Sequence, residues 1–192
     1  MPVPLPPARR RDGRYRVALV CLGNICRSPM ADVVLSDRVE GAGLAGAVEV
    51  VSSGTGGWHV GNPMDRRAAA LLTAHGYDAT RHRAQRFEAG WFDECDLILA
   101  MDRDNHADIT AQAPDAPGPD APGPDARVRM FRDFDPRADG PDRDVPDPYY
   151  GGDDGFERIL AMVERTAAGL VEALSATLGD THGDALTQEV GR

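Results

Sequence analysis

The sequence predicts an α/β domain in which a parallel sheet carries helices on both faces, and three observations predict it. Short β-branched apolar runs alternate with helical patterns along almost the whole chain, the order that builds a parallel sheet. The first run, Tyr15 to Leu22 (YRVALVCL), is continuously apolar from Val17 onward, as a strand buried on both faces must be. The chain has 192 residues, 42% of them hydrophobic, enough for one domain with a substantial core.

Residues 1–14 read as a disordered leader ahead of a domain spanning 15–178. The apolar stretch after the arginine cluster is too short for the core of an export signal. Gly23 ends the first strand. Ser28 and Pro29 then open a helix, serine as N-cap and proline as first helical residue, with Met30, Val33 and Val34 on its apolar face. A second strand is expected at Ala47 to Ser52. The glycine-rich Gly54 to Gly61 precedes a helix from about Pro63 to His75, stopped by Gly76. Asp96 to Met101 is the third strand, and a polar helix follows at about Arg103 to Ala113. Residues 114–126 (PDAPGPDAPGPDA) repeat every five positions and offer no core anchor, so they read as a flexible insertion. Arg127 to Phe131 is the fourth strand, and Asp133 to Asp147 is an irregular loop. Ile159, Leu160, Val163, Leu170, Val171 and Leu174 give Phe156 to Leu178 the longest helical pattern. Residues 179–192 read as a disordered tail.

All 21 basic residues are arginine. Without lysine there is no nucleotide loop ending in Gly-Lys-Ser/Thr, no Schiff-base nucleophile and no pyridoxal-phosphate attachment point. A bound anion must therefore be held by arginine, histidine or backbone N–H. A net charge of −10 argues against nucleic acid as a partner. No apolar run approaches the roughly 20 residues that span a bilayer. Three cysteines make no paired framework, and Cys21, Cys26 and Cys95 fit no zinc spacing, so a reducing, cytoplasmic setting is expected.

The chemistry concentrates in Cys21-Leu22-Gly23-Asn24-Ile25-Cys26-Arg27-Ser28-Pro29, a cysteine at a strand end, a short loop, an arginine and a helix start. In doubly wound folds, sites form at the carboxyl ends of strands. Such a loop can turn its backbone N–H groups inward as a nest, and the helix start adds donors and a positive dipole end. The Arg27 guanidinium offers two parallel N–H bonds to phosphoryl oxygens. The same positive field favours the nucleophilic thiolate form of Cys21, to which Ser28 is placed to donate.

Here the sequence resembles a known family. VCLGNICRSPMAD is similar to the signature of the low-molecular-weight protein tyrosine phosphatases. SSGTGGWHVGNPMD, HRAQRF, LILAMD and DPYYGGDDGFERIL extend the resemblance from about Val17 to Leu174, with a texture most similar to actinobacterial members. The resemblance implies a four-stranded parallel sheet with flavodoxin-like winding and hydrolysis of phosphotyrosine in proteins through a cysteinyl phosphate, with no metal or cofactor. Expelling a phenolate, whose conjugate acid has a pKa of about 10, needs a general acid. Spacing alone does not choose among Asp144, Asp147, Asp153 and Asp154; the match of Asp147-Pro148-Tyr149-Tyr150 to the family's acid motif implies Asp147.

By the same resemblance Leu22, Gly23, Asn24, Ile25, Cys26 and Ser28 form the phosphate-binding loop, and Trp58, Tyr149 and Tyr150 flank the substrate ring. Asn24, Ser53 and His82 match a polar network bracing that loop, and Cys26 matches a cysteine that forms a reversible disulfide with the nucleophile. Ile25 stands where phosphoarginine-directed relatives carry threonine, which favours an aryl substrate. The remaining alternatives are a protein arginine phosphatase, an arsenate reductase on the same fold, or a phosphotyrosine-binding module without turnover. Implied partners are tyrosine-phosphorylated proteins, tyrosine kinases among them.

Overall fold

A computed structural model describes residues 3–9, 13–114 and 127–187. Nearly all of the expected 114–126 insertion, and the end of the chain, lie outside the described residues.

The four expected strands form one sheet. They are β1 (Tyr15–Cys21), β2 (Val48–Gly54), β3 (Leu97–Ala100) and β4 (Val128–Met130), all parallel, in the order β2-β1-β3-β4. That is the flavodoxin-like order. The chain moves outward to one side from β1 to β2 and to the other side from β3 to β4, so the order reverses beside the carboxyl end of β1. The register Cys21↔Gly54 places the last residue of β1 at that crevice.

Alternate residues of the central strands feed two cores. Tyr15, Val17, Leu19 and Cys21 of β1, with Leu97 and Leu99 of β3, face one side. There they pack on α1 (Arg27–Gly41), α2 (Arg66–Ala74) and the long C-terminal helix. Ala18, Val20, Ile98 and Ala100 face the other side, against Phe92 of the one-turn α3 (Trp91–Glu94) and Ile109 of α4 (Arg103–Thr110). Val17, Leu19 and Val20 are wholly buried, each contributing about 1.5–3 kcal/mol of hydrophobic stabilisation. The long helix, α5 (Asp153–Thr187), lies along α1 and α2.

Several boundaries differ from the sequence reading, each for a local reason. Helix α1 begins at Arg27, with Cys26 at the cap position, so Ser28 is inside the first turn and caps nothing. Helix α2 begins later than Pro63 because the Asp65 carboxylate caps it, accepting from the Arg67 amide. The four-residue α3 and a 3-10 turn at Phe131–Phe134 are too short to show a period. Helix α5 runs to Thr187, past the Leu178 boundary and through part of the expected tail.

The expected leader is also partly ordered. Val3 and Leu5 pack against the core, the Tyr15 hydroxyl donates to the Pro6 carbonyl, and the Arg9 amide donates to Asp96. Burial, with Asp96 nearby, raises the Tyr15 phenol well above its ordinary pKa and keeps it a donor. No helix among the described residues is long and apolar enough to cross a membrane.

Candidate active site

Cys21 ends β1 with its sulfur almost fully buried beneath the loop that follows. Asn24 shapes that loop. Its φ of 55° is the only positive value on a non-glycine among the described residues, and asparagine tolerates it better than most. The turn aims the Asn24 amide at the Cys21 sulfur, 3.2 Å away.

Every polar group of Asn24 is then engaged. Its Nδ2 donates to Ser28 Oγ at 2.8 Å, and its Oδ1 accepts the Gln85 amide at 2.9 Å. Its carbonyl accepts from His82 Nε2 at 2.7 Å. Burial lowers the His82 pKa, consistent with a neutral ring whose proton sits on Nε2. Gly54 permits the close approach of β2, since a Cβ there would lie 2.7 Å from the Leu22 carbonyl and 3.0 Å from the Asn24 amide.

The expected network is therefore present in altered form. Ser53 takes part through its carbonyl, which accepts from Ser28 Oγ at 3.2 Å, while its hydroxyl makes no hydrogen bond among the described residues. His82 holds the Asn24 backbone and leaves the side chain to Gln85, a residue the sequence reading passed over. Ser28, freed from capping, sits 2.9 Å from the Cys21 sulfur. The first helical bond runs from Met30 N to Cys26 O, which leaves the Arg27 and Ser28 amides at the unladdered, positive end of α1.

Arg27 is almost fully buried, and two carboxylates orient it. Its Nη1 donates to Asp102 Oδ2 and to the Val145 carbonyl, and its Nη2 lies 3.3 Å from Asp147 Oδ2. Burial works against the guanidinium charge, but the Cys21 sulfur and the two carboxylates outweigh it and raise its pKa. Asp102 is the second site residue that the sequence reading missed. Its signal was an aspartate at the end of an apolar strand and the start of a helix. It caps α4 through Asn105 N at 2.7 Å, and the Asn105 side-chain amide, turned to satisfy its bonds, donates to it at 3.0 and 3.2 Å.

Asp147 lies across the opening, with Oδ1 accepting the Tyr149 amide at 3.0 Å in an Asx-type turn. Cys21, Leu22, Gly23, Ile25, Cys26, Arg27, Asp147, Trp58, Tyr149 and Tyr150 all line one pocket of about 310 Å³, joined by His59. Leu22, Trp58, Tyr149 and Tyr150 are exposed large hydrophobics at its mouth, Tyr150 at 94%. Tyr149 and Tyr150 meet edge to face, with ring centroids 5.0 Å apart. Asp154 does not line the pocket, and Asp144 binds Arg103 instead.

All three cysteines are free. Burial, with Asp65 adding to it, pushes the Cys26 thiol up to about 12, so it is protonated at neutral pH. Burial also pushes Cys95 up to about 12. Cys95 belongs to the core on the other face of the sheet from Cys21 and Cys26.

Fold and site define a doubly wound α/β protein in which the loop after β1 encloses a free thiol. The chain belongs to the low molecular weight phosphotyrosine protein phosphatase family, whose model matches residues 16–179, and it is accordingly a hydrolase. It is 49% identical over 160 residues to a low molecular weight protein-tyrosine-phosphatase of Streptomyces coelicolor, covering 83% of this chain and 93% of that one. Identity to the low molecular weight protein-tyrosine phosphatase A of Mycobacterium tuberculosis is 47%, covering 80% of this chain and 88% of the relative. A crystal structure of a protein tyrosine phosphatase from Entamoeba histolytica with Hepes in its active site superposes with a TM-score of 0.75 at 29% identity, covering 84% of this chain and 97% of the other.

Proposed function

We infer that this protein hydrolyses phosphotyrosine in protein substrates by a two-step displacement at Cys21. The observation that carries the reading is the convergence on one pocket of the Cys21 sulfur, the Arg27 guanidinium and the Asp147 carboxyl, from three separate parts of the chain. In the first step the Cys21 thiolate attacks phosphorus and an S–P bond forms. The P–O bond to tyrosine breaks as the Asp147 carboxyl gives its proton to the leaving oxygen. Arg27 and the loop amides stabilise the equatorial oxygens. In the second step the Asp147 carboxylate takes a proton from water, the water oxygen attacks phosphorus, and the S–P bond breaks with its electrons returning to Cys21. The Ser28 hydroxyl donates to the departing sulfur.

The pocket walls favour an aromatic ring over a guanidinium. Leu22, Ile25, Trp58, Tyr149 and Tyr150 supply apolar surface, and Ile25 gives a guanidinium no polar partner. An arsenate reductase must pass a disulfide outward. Cys95, fully buried on the far face of the sheet, is badly placed for that relay. A binding module without turnover has no need for a carboxyl aimed across the pocket.

Cys26 lines the pocket beside Cys21, which supports a peroxide-sensitive pair. Oxidation of Cys21 to the sulfenic acid, then attack by the Cys26 sulfur with loss of water, closes a disulfide that thiols reopen. Free thiols throughout are in keeping with a cytoplasmic, signalling role, with tyrosine kinases among the substrates. The 15–178 span remains our proposed domain, close to the family match.

The test is turnover of p-nitrophenyl phosphate and a phosphotyrosine peptide by wild type, Cys21→Ser and Asp147→Ala. Cys21→Ser is expected to be inactive on both substrates. Asp147→Ala should lose more on the peptide than on nitrophenyl phosphate, whose better leaving group needs less protonation. Undiminished turnover by Cys21→Ser would overturn the mechanism.

A further inference from the structure

The backbone that carries Asp147 has few ties of its own to the body of the protein. Val145 N bonds Met101 O at 2.6 Å and the Val145 carbonyl accepts from Arg27 Nη1 at 3.2 Å, while Gly151 N and Gly155 N bond to Pro148 O and Gly152 O. Between Val145 and the start of α5, where the Asp147 side chain meets Arg27 Nη2 at 3.3 Å, Arg67 of α2 ties the backbone itself. Its Nη2 donates to the Tyr149 carbonyl at 3.1 Å, and its Nη1 reaches the Gly151 carbonyl at 3.5 Å. Its guanidinium also lies over the Phe156 ring at 4.7 Å and the Tyr149 ring at 5.8 Å, which fixes its plane.

Arg67 is held from behind. Asp65 grips it through both carboxylate oxygens, Nε to Oδ1 and Nη2 to Oδ2, each at 3.1 Å. Burial opposes the Asp65 charge, but the Arg67 side chain and amide outweigh it and keep the carboxyl below its usual range. The Asp65 amide in turn donates to the Ile25 carbonyl of the phosphate-binding loop at 2.8 Å. A chain of bonds thus runs from Ile25 through Asp65 and Arg67 to Tyr149, whose own amide holds Asp147 Oδ1.

We propose that Arg67 is a positioning residue for the general acid, clamping the segment 147–151 at a fixed height above the phosphate-binding loop. Arg67 is not among the residues lining the pocket, so it acts through Asp147 and leaves phosphate binding to others. The proposal rests on the assignment of Asp147 as the acid. Lysine is a poor substitute, because one ammonium lacks the planar fork that spans two carbonyls and grips a carboxylate at once.

The test is the leaving-group dependence of kcat/KM for Arg67→Met, Arg67→Lys, Asp147→Asn and Arg67→Met/Asp147→Asn, with phenyl phosphate and 2,4-dinitrophenyl phosphate. Arg67→Met keeps an apolar stem over Phe156, and the thermal midpoints of both position-67 variants check folding. Arg67→Met is expected to lose about tenfold on phenyl phosphate, part of the 100-fold or more typical of a lost general acid, and less than about twofold on the dinitrophenyl ester. Arg67→Lys should show the same bias at smaller size. In the Asp147→Asn background, Arg67→Met should cost nothing further. Equal losses on both esters in both folded position-67 variants, or an undiminished loss in the double variant, overturns the proposal. If Asp147→Asn alone shows no leaving-group bias, the acid assignment itself falls and takes the proposal with it.

Discussion

The Cys21 sulfur and the Ser28 hydroxyl lie 2.9 Å apart, and that hydroxyl has one proton for two acceptors, since the Ser53 carbonyl also lies within 3.2 Å. With Cys21 protonated, the thiol can donate to Ser28 and Ser28 to Ser53. With Cys21 as thiolate, the hydroxyl proton turns to the sulfur, while the Asn24 side chain keeps donating to the same oxygen. In the proposed mechanism Ser28 is thus a switchable donor to the charge that appears when the cysteinyl phosphate breaks down.

Ser28→Ala is accordingly expected to slow the second step most. A hydrogen bond to a charged sulfur is worth about 1.5–3 kcal/mol, or roughly 10- to 100-fold in rate. Pre-steady-state release of nitrophenol should show a more distinct burst than in wild type, with a slower steady state. An unchanged steady-state rate would mean that the serine only braces the loop.

Asp102→Asn removes the carboxylate that fixes Arg27 Nη1 and caps α4. Breaking a pair around a guanidinium only 3% exposed should cost about 3 kcal/mol of stability. Competitive inhibition by inorganic phosphate should weaken in parallel, because the fork loses its orientation. Urea unfolding and the phosphate Ki measure the two effects, and a stable variant with normal phosphate affinity would contradict this account.

Gly54→Ala places a methyl group 2.7 Å from the Leu22 carbonyl and 3.0 Å from the Asn24 amide, so the loop must shift. Overpacking of this kind costs about 1–3 kcal/mol. Activity should fall further than that stability loss explains, since the displaced amide is the one aimed at Cys21. Comparison of kcat/KM with the thermal midpoint tests this; wild-type turnover would show that the approach of β2 is not critical.

Asp135 supplies the pH-dependent prediction. Its side chain is fully buried and bound by Arg165 Nε and Nη2, each at 2.9 Å, with Arg132 at 3.4 Å and the Arg137 amide at 2.9 Å. Burial opposes ionisation, but these donors prevail and hold the carboxyl below its usual range. A depressed folded-state pKa means stability present above the unfolded value of about 4 and lost as pH falls through the folded value. Asp135→Asn should cost about 2 kcal/mol at pH 7, less than a fully buried pair because Arg165 keeps 27% of its side chain exposed. In urea titrations the gap between variant and wild type should close well below pH 4. A constant gap at both pH values would assign the effect to packing.

The order of strands and helices was legible because each period is local and the two-faced burial of β1 leaves an unbroken apolar run. Cys21 to Pro29 was legible for the same reason, since strand end, loop and helix start are contiguous. Ser28 was misread as a cap because the preference of serine for helix starts says nothing about a sulfur 2.9 Å away. The anchoring of residues 3–9 was illegible because proline-rich chain has no period, and its anchors, Tyr15 and Asp96, lie outside it.

By itself, then, the sequence determined a parallel α/β sheet and the cysteine-bearing loop at the end of its first strand, because both are built from neighbouring residues. Only the tertiary structure decided what surrounds that loop. Asp102 and Asp147 meet Arg27 from 75 and 120 positions away, and Gln85 meets Asn24 from 61. No pattern in the chain encodes such meetings. They follow from the strand order β2-β1-β3-β4, which opens a crevice beside β1 and brings the ends of distant segments to its rim.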